Sequence, residues 1–561
     1  MKGFHPNVSF LLYAVLSACL LCGCADTSAP GSSSVSKNVA LTSAASITLS
    51  DDAVTIQGDG ATEENGVITI ADGGTYTITG SLSDGRILVN APKKDVTLVL
   101  EHTDITCSYG SPVYICESSS ATIYLTEGTT NTLSDGSVYT FEDSFSSAAE
   151  EEPNACLYSK SDLAITGSGQ LTVNASYNNG ITGKDTLEIT DASITVAAKN
   201  HGINGKDSCT IQNADLRITS GGDALRSTND SDSTLGFITI TDSVLELTAE
   251  EDGIQAETAL LLSDGTFTLD SCDDAIHSNG NVQIDGGTFI ITSGDDAVHA
   301  DQNVLISDGT ITIQESYEGI EGESVDISGG TIRIKASDDG INAAGGADQS
   351  GFGQRQDTFA GSSDCSISIR GGIITIDASG DGVDSNGDLT VSGGELYVSG
   401  PENSENGALD YNGSGVITGG IVVAAGSGGM SQNFGGDSSQ GSMLLSFSDS
   451  SSEPITLEDS SGTILVSYAP SKSYNCVVIS CPSVTQGSTY TVTACGETTS
   501  VTMDSLIYGA SSGMGKMGNR QPGAERPFDG EPPTDMQRQP GSGGRKPENG
   551  EKPEDSGKPK L

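Results

Sequence analysis

Asp274-Ala275-Ile276-His277-Ser278-Asn279-Gly280-Asn281-Val282-Gln283-Ile284-Asp285-Gly286-Gly287-Thr288-Phe289-Ile290-Ile291-Thr292 is followed, 22 residues after its start, by Asp296-Ala297-Val298-His299. Within it, Val282-Gln283-Ile284 and Phe289-Ile290-Ile291 alternate with a period of two, as short strands do, and Asp285-Gly286-Gly287 between them is turn chemistry that favours positive φ. Three strand signals in 22 residues leave no room for a helix.

The opening tripeptide, acid-small-aliphatic, recurs through the chain. It is found at Asn179-Gly180-Ile181, His201-Gly202-Ile203, Asp223-Ala224-Leu225, Asp252-Gly253-Ile254, Asp274-Ala275-Ile276 and Asp296-Ala297-Val298. It continues at Glu318-Gly319-Ile320, Asp339-Gly340-Ile341, Asp381-Gly382-Val383 and Asn406-Gly407-Ala408. The first residues are 22, 22, 29, 22, 22, 22, 21, 42 and 25 apart. A period of this length marks stacked supersecondary units, and the expected fold is an all-β, right-handed parallel β-helix with one unit per coil. Phe267, Phe289, Ile311, Ile332, Ile374 and Leu396 then form an interior column. The two long intervals carry polar insertions at 227–236 and 343–363, which must leave the stack as loops. At ~4.8 Å per coil, the ten coils make a rod about 50 Å long.

Outside the repeat, residues 47–175 show comparable strands and read as N-terminal coils and cap, with the regular repeats at 176–429. Residues 430–508 keep strand signals without the period and read as a small β module or cap. Residues 509–561 hold eight of the 17 prolines and almost no aliphatics, the composition of a disordered tail. At the other end, Lys2 precedes an apolar run from Val8 to Leu21 that suits a secretory signal. It ends in Leu21-Cys22-Gly23-Cys24, which resembles the bacterial lipobox. Residues 1–24 are thus expected to be a lipoprotein signal with Cys24 lipidated, and the Ser/Thr-rich residues 25–46 a tether. The resulting localisation is the extracellular face of the bacterial cell membrane, held through the N-terminal lipid; ordinary signal cleavage is the alternative.

Acidic residues outnumber basic ones 76 to 25 among 561 residues, for a net charge of −51. Such a body repels phosphate backbones, so nucleic acid is excluded as a partner; protein partners are not specified by the sequence. Nine cysteines follow Cys24 without metal-ligand spacing. Cys107 with Cys116, or Cys476 with Cys495, are open as disulfides, and the remainder read as small apolar fillers.

Stacking turns a sequence column into a spatial one. Asp252, Asp274, Asp296, Glu318, Asp339 and Asp381 should line one edge, and unit charges ~4.8 Å apart repel by roughly 3.5 kcal/mol at an effective dielectric of 20. Calcium, which accepts irregular shells of carboxylate and carbonyl oxygens, relieves that repulsion, with Asp230 and Asp232 of the first insertion as further ligands. The competing reading is turn chemistry, the carboxylates bonding local backbone N–H groups. Three residues beyond each corner acid, or four after Asn406, lies a second column: Arg226, Gln255, His277, His299, Glu321, Asn342, Asp384 and Asp410. His277 and His299 should be coil neighbours. With Arg226 they are the candidate ligand-binding residues, able to hydrogen-bond a sugar or hold a transition metal, against the plainer reading of a solvated polar face.

Tyr76-Thr77-Ile78-Thr79-Gly80, Val96-Thr97-Leu98-Val99-Leu100, Asn131-Thr132-Leu133, Gly167-Ser168-Gly169-Gln170-Leu171-Thr172-Val173 and the repeated corner together resemble secreted clostridial carbohydrate-binding-domain proteins. The resemblance spans most of residues 45–425. It implies a calcium-binding, pectate-lyase-like β-helix that binds plant cell-wall polysaccharide, acidic pectic chains included, with the corner acids as calcium ligands. The absence of tryptophan departs from the aromatic platforms of cellulose binders. The leading expectation is a calcium-dependent polysaccharide-binding lipoprotein with no catalytic residues. The alternatives are a uronate lyase using Lys184, Lys206 or Arg226, and a surface adhesin or scaffold.

Overall fold

The computed structural model describes residues 43–344 and 365–509. The signal segment with Cys24, the tail from 510 and most of the second insertion lie outside the described residues. Among those described there is no helix, and hence none long and apolar enough to cross a membrane. They form a parallel β-solenoid of about 15 turns of roughly 23 residues.

Each regular coil contributes three short strands, for example Ile276–Ser278, Asn281–Ile284 and Thr288–Thr292. Each pairs in parallel with its counterpart one coil on: His277 with His299, Val282 with Val304, Phe289 with Ile311. Alternation decides what is buried. Val282, Ile284, Phe289 and Ile291 are fully buried, whereas Ile290, between two of them, is 40% exposed. The interior column is continuous in register from Phe267 through Phe289, Ile311, Ile332 and Ile374 to Leu396, and all six are fully buried. Ile332 pairs with Ile374 across the 42-residue interval, so the strands on either side of it are neighbours in the stack. The turns between the second and third strands have positive φ, at Asp264 (58°) in one coil and at Gly330 (86°) in another, as the Asp-Gly and Gly-Gly pairs predict.

Both ends are closed by antiparallel strands. Ser43–Leu49 begins within the stretch expected to be tether. It pairs in parallel with Gly74–Leu82 and antiparallel with Thr55–Gly58. At the other end Ile421–Gly426, the last coil strand, is covered by Tyr474–Ser480 running antiparallel, which in turn pairs with Ser442–Ser451. A separate four-stranded antiparallel sheet follows, and its apolar side shares one core with Val423 and Ala425 of the last coil. The C-terminal module is therefore also the cap. All nine cysteines among the described residues are free thiols. Neither of the pairings left open by the sequence forms; Cys116 Sγ donates to the Val89 carbonyl at 2.8 Å and Cys495 Sγ to the Tyr474 carbonyl at 3.3 Å.

Candidate functional site

The corner acids sit where the chain turns onto the first strand of each coil. The carbonyl of each accepts from the small residue of the coil before: Gly253 N–H to Asp274 (2.9 Å), Ala275 N–H to Asp296 (3.0 Å), Ala297 N–H to Glu318 (3.2 Å). The side chains form a second ladder along the same edge. Asp274 N–H donates to Asp252 Oδ1 at 3.2 Å, Asp296 N–H to Asp274 Oδ1 at 2.9 Å and Asp381 N–H to Asp339 Oδ1 at 2.5 Å. Turn chemistry thus explains one oxygen of several corner carboxylates.

The other oxygens are met on a diagonal, by the second-column residue one coil on. His277 Nδ1 lies 3.0 Å from Asp252 Oδ2, His299 Nδ1 lies 3.1 Å from Asp274 Oδ2, and Asn342 Nδ2 donates to Glu318 Oε2 at 2.8 Å. The two imidazoles are coil neighbours, as expected, and stack with centroids 4.9 Å apart and planes 3° from parallel. Upstream, Asp223 N–H donates to His201 Nδ1 at 2.9 Å, its carboxylate lies 3.1 Å from the same nitrogen, and Arg226 Nη1 reaches it at 3.3 Å. The same diagonal brings Glu321 to Asp296, Asp384 to Asp339 and Asp410 to Asp381, so that acid faces acid. The edge is therefore divided. Its upstream part pairs the acids with histidine and arginine, and its downstream part brings carboxylate to carboxylate.

Electrostatics follow the division. Burial opposes ionisation of Asp223, but the His201 hydrogen bond and the charges of His201 and Arg226 outweigh it and hold the carboxyl below its ordinary value. Burial pushes Asp252 up to about 6 against the pull of His277. Burial likewise works against the His277 imidazolium, yet the Asp252 hydrogen bond and the charge of Asp274 raise its pKa. Downstream, burial and then the neighbouring carboxylates push Asp296, Glu318 and Asp339 well above the carboxylate range. Asp381 rises to about 7, burial leading, with Asp410 and Asp338 adding to it.

Two of the donor groups close enough to share an ion lie in this downstream part: Asp296 with His299 and Glu321, and Asp339 with Asp381 and Asp384, the ligand atoms within 4.8 Å of one another. Asp230 and Asp232 are in no such group. Asp232 Oδ1 caps its own loop, accepting from Thr234 N–H and Oγ1 at 3.0 and 2.7 Å. Glu321 and Asp384 stood in the second column of the sequence but were not assigned as ligands; the missing information was the one-coil stagger. Of the basic residues open as a lyase base, Lys184 is paired with Glu152 at 2.6 Å and Arg226 with Asp223.

A protein of Acetivibrio thermocellus described as a carbohydrate-binding domain-containing protein is 40% identical over 141 residues, 25% of this chain and 48% of that one. The chain thus spans about half the length of this curated relative. A solved polysaccharide lyase-like protein from C. thermocellum, studied as a gadolinium derivative, aligns with 30% identity and a TM-score of 0.40 over 47% of this chain and 96% of its own. The family model for carbohydrate-binding domain-containing proteins matches residues 64–319 and 269–353. Its matches cover just over half of the 561 residues, and the protein belongs to the family of carbohydrate-binding domain-containing proteins.

Proposed function

We propose that this protein captures acidic polysaccharide outside the cell, with calcium held by the downstream carboxylates and the chain anchored through a lipid on Cys24. The observation that carries the calcium reading is the acid-on-acid diagonal. Asp339, Asp381 and Asp384 bring three half-buried carboxylates within 4.8 Å of one another. Asp338 and Asp410 add to the same negative potential. An all-oxygen, irregular, partly open donor set suits calcium. Being partly open, it leaves coordination positions for the carboxylate of a uronate, which explains how a chain of net charge −51 can hold an anionic ligand. Of the three candidate lyase bases, Lys184 and Arg226 are engaged in ion pairs, which leaves Lys206 as the base that cleavage would have to use.

The test is sedimentation with insoluble polygalacturonate, in millimolar calcium and in excess chelator, for the parent chain and an Asp339→Asn/Asp381→Asn variant. Retention only with calcium, lost in the variant, is expected; retention unchanged by chelator would remove calcium from the binding step. Release of unsaturated, ultraviolet-absorbing product would make the protein a lyase. For the anchor, Cys24→Ser should shift the protein out of the membrane fraction, and a lipid-labelled, membrane-bound variant would exclude that cysteine.

A further inference from the structure

We infer that Asp296, His299 and Glu321 form a second metal site, for a divalent transition ion of the zinc class and not for calcium. Asp296 is fully buried and neither of its carboxylate oxygens has a hydrogen-bond partner. What faces it is Glu321, whose Oε2 is likewise shut off from solvent and without a partner. His299, 2% exposed, completes the group. An unpartnered carboxylate in the interior is costly unless a cation or proton joins it.

The donor types decide which cation. Calcium takes oxygen ligands, whereas an imidazole with two carboxylates is a donor set for zinc, iron, cobalt or manganese. A divalent ion would cancel the two carboxylate charges and leave a neutral buried site. The ligand atoms lie within 4.8 Å of one another. Around a tetrahedral ion with ~2.1 Å bonds they stand about 3.4 Å apart, so small side-chain rotations close the shell. His299 Nδ1 lies 3.1 Å from Asp274 Oδ2 and 4.0 Å from Asp296 Oδ2, while Asp301 Oδ1 lies 3.8 Å from Nε2; ligation through Nδ1 would exchange the Asp274 contact for the ion and leave Nε2 facing Asp301, a carboxylate at the far nitrogen of the kind that orients metal-binding imidazoles. Neighbouring coils do not repeat it. The diagonals before it put histidine on aspartate, and the diagonal after it puts Asn342 on Glu318.

The site is separate from the proposed calcium group at Asp339, Asp381 and Asp384, and its test is run with calcium already saturating. The chain, carrying Cys272→Ser to remove the exposed thiol, is stripped with chelator, returned to excess calcium and titrated with Co2+. One equivalent should bind, with visible ligand-field bands that Zn2+ abolishes and a melting temperature above that in calcium alone. Glu321→Gln should weaken Co2+ about ten- to a hundredfold while leaving the calcium-dependent rise in melting temperature intact. Asp296→Asn is the second variant should the first fail to fold. No Co2+ binding in the presence of calcium would overturn the inference. So would bands of undiminished affinity in the folded variant, or a thiolate charge-transfer band assigning the ion to cysteine.

Discussion

Asp252 and Asp296 occupy the same corner in coils 44 residues apart, and their fates differ because of one residue each. Asp252 meets His277, and Asp296 meets Glu321. The Asp252 carboxyl, moved from 3.8 to about 6, and the raised His277 both bind protons more tightly in the folded chain than in the unfolded one. Their contribution is therefore complete at acid pH and is lost as pH rises, through about 6 for Asp252. Melts of the metal-free protein between about pH 4 and pH 8 should show stability falling across that range. Asp252→Asn should flatten the fall by up to ~3 kcal/mol, and an unchanged slope would contradict the assignment. At the other corner, Glu321→Gln gives Asp296 an amide donor in place of a like charge. In excess chelator it should unfold at higher denaturant, by about 1–3 kcal/mol; a variant no more stable than the parent would mean that the pair is already relieved by a shared proton. These corner acids were legible in the sequence as a column. Their partners were not, because the two columns were read straight across each coil and the contacts run diagonally to the next.

Strands were the most legible level. Alternation and the 22-residue period named the interior column residue by residue, since a parallel stack in register can place only one residue of each coil at each inward position. Phe267 and Phe289 meet in that column with ring centroids 4.4 Å apart and planes 3° from parallel. Phe289→Ala would open a cavity between two coils and is expected to cost about 3–5 kcal/mol in equilibrium unfolding; a loss under ~1 kcal/mol would mean that the coils collapse onto the gap. The N-terminal coils were less legible, because no corner acid marks them and their spacing varies. Val113 pairs with Leu157 only after an excursion of more than 40 residues, which masks the period.

For the molecule as a whole the critical places are its ends. A parallel stack exposes unpaired backbone at both, and the antiparallel Tyr474–Ser480 strand with its sheet covers the last coil and buries Val423 and Ala425. A chain truncated after 429 should self-associate through the uncovered Ile421–Gly426 edge, read as growth in mass by light scattering; a monodisperse monomer would show the sheet to be an appended module and not a cap. Hydrogen bonds between coils point along the stack, and among the described residues no disulfide joins one coil to the next. Tension applied between the two ends would therefore load one ladder of bonds at a time, as in a zipper, and not all together in shear. Each coil that peels away would release its roughly 23 residues, or about 80 Å of slack at ~3.5 Å per residue. A tethered solenoid of this kind would lengthen under a tug in coil-sized steps while the remaining coils kept their side-chain columns in register.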